Sequence, residues 1–518
     1  MPAPKRAALA FQAHENILSG LDSTFPKTPD FRMNVAIASV GLATSQGSVQ
    51  DISSGARPLR SPAKLPWPAG KWAACHSSHS ATGIEPLLTG RDRWRALAGR
   101  ALEECFGGTQ PSQQTPLLLA SCNGAADGFE PTAWRHAFDS KSLLAGTPWA
   151  GQSLPVFSGS CNSGSHALYM AVQLLRAGYS KEVIVLAVDI LSRASHDNFE
   201  VLRVLTDEPM PWQSASSGFI LGEAAVALHL VRTERDDRDT HLLDGPVLAS
   251  DLADHDGLST VLSELRLSDL KLILGQGTGP FESDGMELRA LRRGVSQAVP
   301  LATPLVRFGH TLGASSLLSV ALAVLARRGN SIGGGAVPVL TMASPSATDG
   351  RPLFKGYAQG DNILVTCRAM SGACAAACIG ASRESGPRTV RGWRTPGELG
   401  PLMHSALRQV SALALRYRPQ APTDLLVVRM DEPLLPDERA SIGGRLLPSA
   451  VLELTPGFVP QLIARCWGFT GGALCLVGEA GADKATKEMM RAVEQCGLAV
   501  SRINLRGGVD EREIEWNA

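Results

Sequence analysis

Phe157-Ser-Gly-Ser-Cys-Asn-Ser-Gly-Ser-His166 is the stretch that decides how this chain folds and what it does. Leu154-Pro-Val-Phe, just before it, reads as a short buried strand. Ala167-Leu-Tyr-Met-Ala-Val-Gln-Leu-Leu-Arg-Ala-Gly178, just after it, has the apolar spacing of a helix. Cys161 therefore sits on a tight turn between a strand and a helix. A thiol there faces the positive end of the helix dipole, which favours a thiolate. The same placement exposes the sulfur to a substrate and turns backbone N–H groups toward a developing oxyanion. Most free cysteines are buried and inert, but the Gly and Ser residues around Cys161 set it apart.

The chain has 518 residues and no net charge. It is too long for one ordinary domain. Its charge balance gives no reason to expect a nucleic acid or an anionic membrane as partner. No apolar run is long enough to span a bilayer, and the N-terminus lacks the apolar core of a signal peptide. Ten cysteines are scattered without a CxxC pair, so reduced thiols in the cytoplasm are expected. Cys75, His76 and His79 lie close together in a Ser-rich loop with no fourth ligand, and no metal or cofactor is expected.

The alternation of apolar runs and helical spacing implies an α/β chain. Residues 1–32 read as an N-terminal arm. A first half, 33–240, carries strands at 33–44, 116–122, 182–189 and 222–231. The charged stretch 232–245 reads as a solvated connection. A second half, 241–381, restarts with a strand at 270–275 and contains a long apolar helix near 313–326. Segments 362–367 and 374–379 read as a closing strand pair. Residues 382–397 form a linker. A small α/β module follows at 398–518, with helices near 398–417, 459–468 and 483–497 and strands at 424–429, 473–478 and 499–505. Within it, 424–478 weakly echoes the order of strand, acidic turn and apolar helix found at 269–326. A docking surface for a carrier protein or partner subunit is the expected role of the module.

Four segments give this pattern a family resemblance. Ser160-Cys-Asn-Ser-Gly-Ser-His-Ala-Leu168, Pro211-Trp-Gln-Ser-Ala-Ser-Ser-Gly-Phe-Ile-Leu-Gly-Glu-Ala-Ala225, Gly277-Thr-Gly-Pro-Phe-Glu-Ser-Asp-Gly-Met-Glu287 and Gly309-His-Thr-Leu-Gly-Ala-Ser315 occur in the order of the β-ketoacyl-acyl-carrier-protein synthases. The chain resembles that family over residues 33–380, as a divergent member. The resemblance implies a thiolase-like fold, two similar α/β halves in α-β-α-β-α layers. It also implies an acyltransferase that loads an acyl group onto cysteine and condenses it with a malonyl-type carrier thioester. Cys161 would be the acyl acceptor and, through its N–H, one oxyanion donor. Met370, in Ala369-Met-Ser-Gly372, takes the place of the gating residue and second donor. His310 matches the second catalytic histidine.

Three departures accompany the resemblance. Gln276 stands where the family has its first catalytic histidine. Leu305 stands where it has a lysine, so Glu287 loses its usual ion-pair partner, with Arg307 a substitute. Ala-Met-Ser replaces a Phe-rich loop. Gly277 and Thr278 complete the supporting set. The implied partners are acyl carrier protein and a second synthase subunit, as homodimer or heterodimer, in a specialised polyketide, aryl-polyene or fatty-acid-like pathway. The alternatives are cysteine acyl transfer without decarboxylation and a non-catalytic partner resembling a chain-length factor.

Overall fold

The computed structural model describes residues 34–54, 78–86, 88–127, 134–213, 218–233, 242–252, 256–295, 299–328, 340–341 and 362–380, and chiefly 405–416, 423–434, 455–505 and 514–517 of the C-terminal region. The expected arm at 1–32, most of the 382–397 linker, and Cys75 and His76 lie outside them.

Fifteen strands form one continuous sheet. In the first half they are β1 (Asn34–Thr44), β2 (Leu117–Ala120), β3 (Val156–Phe157), β4 (Glu182–Asp189) and β5 (Ala224–Thr233). The second half has β6 (Leu242–Ser250), β7 (Leu270–Leu274), β8 (Pro300–Ala302), β9 (Leu340–Thr341), β10 (Asn362–Arg368) and β11 (Ala373–Gly380). The C-terminal region adds β12 (Leu425–Met430), β13 (Gly472–Val477), β14 (Val500–Leu505) and β15 (Ile514–Asn517).

The two halves share one topology. In the first, β3, β2 and β4 run parallel, and β5 and then β1 follow antiparallel. In the second, β8, β7 and β10 run parallel, and β11 and then β6 follow antiparallel. Parallel strands need covered faces. Helices α1 (Gly90–Cys105), α2 (Ser163–Arg176), α3 (Arg193–Val201), α4 (Gly257–Ser263), α5 (Phe281–Gly294) and α6 (Ser315–Arg327) supply much of that cover. Helices α2 and α6 pack on each other and on strands of both halves, while α1 and α4 pack on one half each. This gives the α-β-α-β-α layering expected from the sequence. Every residue of α2 is buried, the polar His166, Gln173 and Arg176 included. Gly164 allows the approach, since a Cβ there would lie 2.9 Å from the Leu317 Cβ.

One expectation needs correction. The charged stretch does not run to 245 as a solvated connection, because β6 begins at Leu242 and lies between β11 and β1 in the sheet. The strands of the C-terminal module continue the same sheet through the antiparallel pairing of β13 with β3. Helices α8 (Phe458–Trp467) and α9 (Asp483–Gln495) pack on its strands, and α7 (Ser405–Arg416) packs on α8. Among the described residues, no helix is long and apolar enough to cross a membrane.

Candidate active site

The turn that carries Cys161 is built by its small polar neighbours. Ser163 Oγ accepts the Gly159 N–H (2.9 Å) and donates to the Ser160 carbonyl (2.7 Å). This closes a 3-10 turn over Ser160–Asn162 that leads straight into α2. Ser160 takes a left-handed backbone conformation at φ 55°, a strained choice for a residue with a side chain. Asn162 fastens the turn to the second half, donating to the Ala373 carbonyl (2.7 Å) and more weakly to that of Cys367 (3.4 Å).

Cys161 is 4% exposed. Its thiol is pushed up to about 12, first by burial and then by the nearby Asp189 carboxylate. The backbone N–H groups of Met370 and of Cys161 itself act in the opposite direction, by hydrogen bonding to the sulfur. The expectation of an exposed thiolate favoured by the helix dipole therefore gives way to a buried thiol. Desolvation is the largest cause of that rise.

Met370 sits on the turn of the β10–β11 hairpin. The turn is tied by Ala369 N–H to the Ala373 carbonyl (2.8 Å) and Gly372 N–H to the Ala369 carbonyl (2.9 Å). The Met370 side chain packs against the cluster that contains Phe199, Phe219, Leu305 and Leu312. Leu305 thus joins an apolar cluster where the family pattern has a lysine.

His310 lies on an extended segment paired with Leu221, with its N–H on the Ile220 carbonyl (2.7 Å). Gly309 makes this pairing possible, since a Cβ there would come within 2.8 Å of the Gly222 backbone. The imidazole stacks on Phe219 at 4.5 Å. Burial lowers its pKa to about 4, so the ring is neutral near pH 7. Its Nδ1 accepts the Leu312 N–H (3.2 Å). In a neutral imidazole that leaves the proton on Nε2, a hydrogen-bond donor.

Gln276 follows β7. Its Oε1 accepts the Arg368 N–H (2.8 Å), and its carbonyl accepts from Thr303 Oγ1 (2.7 Å). Its Nε2 is buried without a hydrogen-bond partner among the described residues. Gln276 and His310 line one narrow cavity together with Thr303, Leu305, Thr311 and Cys367. Cys161 does not line that cavity. It stands behind Cys367, whose Sγ lies 3.6 Å from the Cys161 carbonyl.

Glu287 anchors this wall through neutral donors. One carboxylate oxygen accepts the Gln276 N–H (2.8 Å) and Thr366 Oγ1 (3.1 Å). The other accepts the Gly277 N–H (2.9 Å) and Trp212 Nε1 (2.9 Å). The proposed replacement of the missing lysine by Arg307 is not what forms. Four neutral donors satisfy the carboxylate, while the Arg307 guanidinium lies 5.9 Å over the Phe308 ring. Gly277 is required by geometry, because its φ is 54° and a Cβ would press on Trp212. Thr278 donates to Ser283 Oγ (3.1 Å), beside Asp284, whose carboxylate receives the Trp212 and Gly279 N–H groups.

Several supporting residues escaped the sequence reading. Asp189, at the end of β4, accepts from Ser121 Oγ and from the Cys122 and Asn123 N–H groups. Burial pushes its carboxyl up to about 7. An acid closing an apolar strand was the available signal. Glu223 pairs with Arg93 and accepts the Ala81 N–H (2.7 Å) and Leu191 N–H (3.0 Å). Asp251 pairs with Arg368 at 2.7 Å, next to the hairpin that presents Met370.

The fold is shared with solved ketosynthase structures, and one segment of the chain matches a ketosynthase family. Residues 149–236, which include Cys161, match the family described as beta-ketoacyl synthase, N-terminal domain. No curated protein matches by sequence. Among solved structures, PfaC, a keto synthase–chain length factor, superposes with a TM-score of 0.64 and 12% identity, over 91% of this chain and 74% of its own. The ishigamide ketosynthase/chain length factor gives 0.53 and 18%, over 67% of this chain and 99% of its own. A beta-ketoacyl synthase from Burkholderia phymatum STM815 gives 0.51 and 17%, over 68% and 100%. The chain thus shares the fold of these structures and carries one segment similar to the beta-ketoacyl synthase N-terminal domain.

Proposed function

We propose that the chain is a ketosynthase-type acyltransferase that loads an acyl group from a carrier thioester onto Cys161 and condenses it with a malonyl-type thioester. The observation that carries this reading is the placement of Cys161 on a tight turn at the head of buried α2, fastened by Asn162 to the hairpin that carries Met370. The backbone N–H groups of Cys161 and Met370 would there hold the oxyanion of a tetrahedral intermediate.

In the loading step the Cys161 sulfur attacks the thioester carbonyl. The carbon–sulfur bond to the carrier breaks, and the proton leaves with the carrier thiol. In the second step the malonyl carboxylate departs as carbon dioxide. The electron pair left behind forms an enolate, and the Nε2–H of His310 and the amide N–H of Gln276 are its donors. The enolate carbon then attacks the acyl-cysteine. The new carbon–carbon bond displaces the sulfur as a thiolate, which takes a proton from water to become the thiol. Neither donor needs to carry a proton away, so neutral His310 and Gln276 suffice.

The carrier is read as an acyl carrier protein. A neighbour in the same fold is a type II PKS acyl-carrier protein in complex with its ketosynthase. The nine described cysteines are free and buried, in keeping with a cytoplasmic setting. A second reading keeps acyl transfer and drops decarboxylation. The observation favouring it is that Gln276 Oε1 is fixed by Arg368, leaving one amide donor where the family has an imidazole.

The test follows Cys161 by intact mass after incubation with acyl carrier protein bearing an acyl chain, then adds the malonyl form and measures carbon dioxide and product. Acylation followed by carbon dioxide release supports condensation. Acylation alone supports the transfer reading, and no acylation removes both.

A further inference from the structure

We infer that the C-terminal module is a blank copy of the Cys161-bearing unit, docked on it as the second subunit of a two-fold dimer would be. It serves as a partner subunit built into the same chain.

The copy is visible in the succession of elements. Strand β3 ends at Phe157, a 3-10 turn spans Ser160–Asn162, and α2 starts at Ser163. Strand β13 ends at Val477, a 3-10 turn spans Ala480–Ala482, and α9 starts at Asp483. Each landmark is displaced by the same 320 residues (477 − 157, 480 − 160, 483 − 163). Both helices end on a left-handed glycine, Gly178 at φ 75° and Gly497 at φ 79°. Strands β13, β12 and β14 then run parallel and β15 antiparallel, the order of β3, β2, β4 and β5.

The docking is isologous. By the same displacement Leu476 is the counterpart of Val156, and Val477 of Phe157. Leu476 pairs with Phe157, and Val477 pairs with Val156. Each residue therefore faces the counterpart of its partner's neighbour, the reciprocity that a local two-fold axis imposes. Helices α2 and α9 also pack on each other, with Cys496 Sγ against the Gln173 carbonyl.

The copy has no nucleophile of its own. Gly481 occupies the position of Cys161, and Ala482 that of Asn162. The module instead reaches the living site. Gly457, before α8, lies so close to the Ser158–Ser160 backbone that a Cβ would sit 2.6 Å from the Ser160 nitrogen. Arg465 of α8 donates to the Asp251 carbonyl (3.3 Å) and reaches the backbone at Gly372, on the turn that presents Met370. Arg465 is thus a positioning residue for that turn, a role whose catalytic meaning rests on the function proposed above. The second subunit expected from the family resemblance is, on this inference, supplied in cis.

Two measurements on the full chain test this. Light scattering after size exclusion should give one species of 54.7 kDa across the micromolar range. A stable dimer would overturn the inference. Arg465→Met should raise the rate of Cys161 alkylation by iodoacetamide about fivefold as the turn opens, and Arg465→Lys should return it toward the parent rate. An unchanged rate in Arg465→Met, or no rescue by lysine, would overturn the positioning role. Neither readout needs a carrier thioester. A monomer that alkylates as expected but is never acylated would refute the condensing function and leave this inference standing.

Discussion

The wall around Cys161 and the wall around Gln276 are made of different materials. The first is mostly backbone. Cys161 stands on a short backbone turn, and Asn162 holds that turn to a hairpin carbonyl. The second is mostly side chain. It consists of the Gln276 amide, the His310 imidazole, and the Glu287 carboxylate that fixes the loop after β7. Backbone donors survive drift in sequence, because any residue but proline supplies them. Side-chain donors do not. All three departures from the family pattern touch side chains, and two of them lie on the second wall. Acyl capture should therefore be the robust half-reaction and decarboxylation the tuned one.

The sharpest way to break that contrast is Cys161→Ala. Intact mass should show acyl labelling lost entirely, because Cys122, Cys367 and Cys374 lie in strands or a strand-end loop and none of them stands on a turn that opens a helix, as Cys161 does. Labelling that persisted on another cysteine would move the nucleophile and with it the whole first wall.

His310→Ala attacks the second wall. Removing one preorganised donor should cut carbon dioxide release by about a hundredfold, while single-turnover loading of Cys161 stays within a few-fold. Equal losses in both steps would erase the distinction between the walls. The pH profile gives the same residue a second check. Burial depresses its pKa to about 4, so its neutral form prevails from pH 8 down through the ordinary histidine range. The His310 contribution to decarboxylation should stay level across that range and be lost only as pH falls toward 4. Its effect on stability has the same sign, because a histidine buried neutral favours the folded state above its unfolded pKa and progressively less as pH falls.

Glu287→Gln probes how the second wall is held. Four donors converge on the carboxylate, and an amide would turn its own NH2 toward two of them. Stability should fall by about 2 kcal/mol, read as a shift of the denaturation midpoint, with decarboxylation reduced and loading kept.

How much of this could be read in advance follows from the same physics. Strand β4 and the β10–β11 pair matched their expected bounds within a residue or two, because an unbroken apolar run needs no tertiary knowledge. The Cys161 turn was readable from its glycines and serines. Strand β6 was not, because Asp244-Gly-Pro246 punctuates it and a charged stretch precedes it. Asp244 is nonetheless buried within the sheet. The raised pKa of Cys161 was also out of reach. Sequence spacing showed the helix dipole but not the enclosure that overrides it. The pairing of β13 with β3 depends on two residues of a strand that offers little pattern of its own, and it appears only when the sheet is assembled.

The smallest expected effect discriminates most finely. In Gln276→His the ring can keep the existing anchor. Its Nδ1 would accept the Arg368 N–H now held by Oε1. Its Nε2–H would then point where the unpaired amide nitrogen points now. The donor changes from amide to imidazole while the loop, held by Glu287 through backbone N–H groups, has no reason to move. Carbon dioxide release should rise about threefold, a gain of well under the full worth of a preorganised donor because one donor is exchanged for another rather than created. Loading should not change. A rate that stayed level or fell would mean that Gln276 is not an enolate-side donor, and the second wall would then rest on His310 alone.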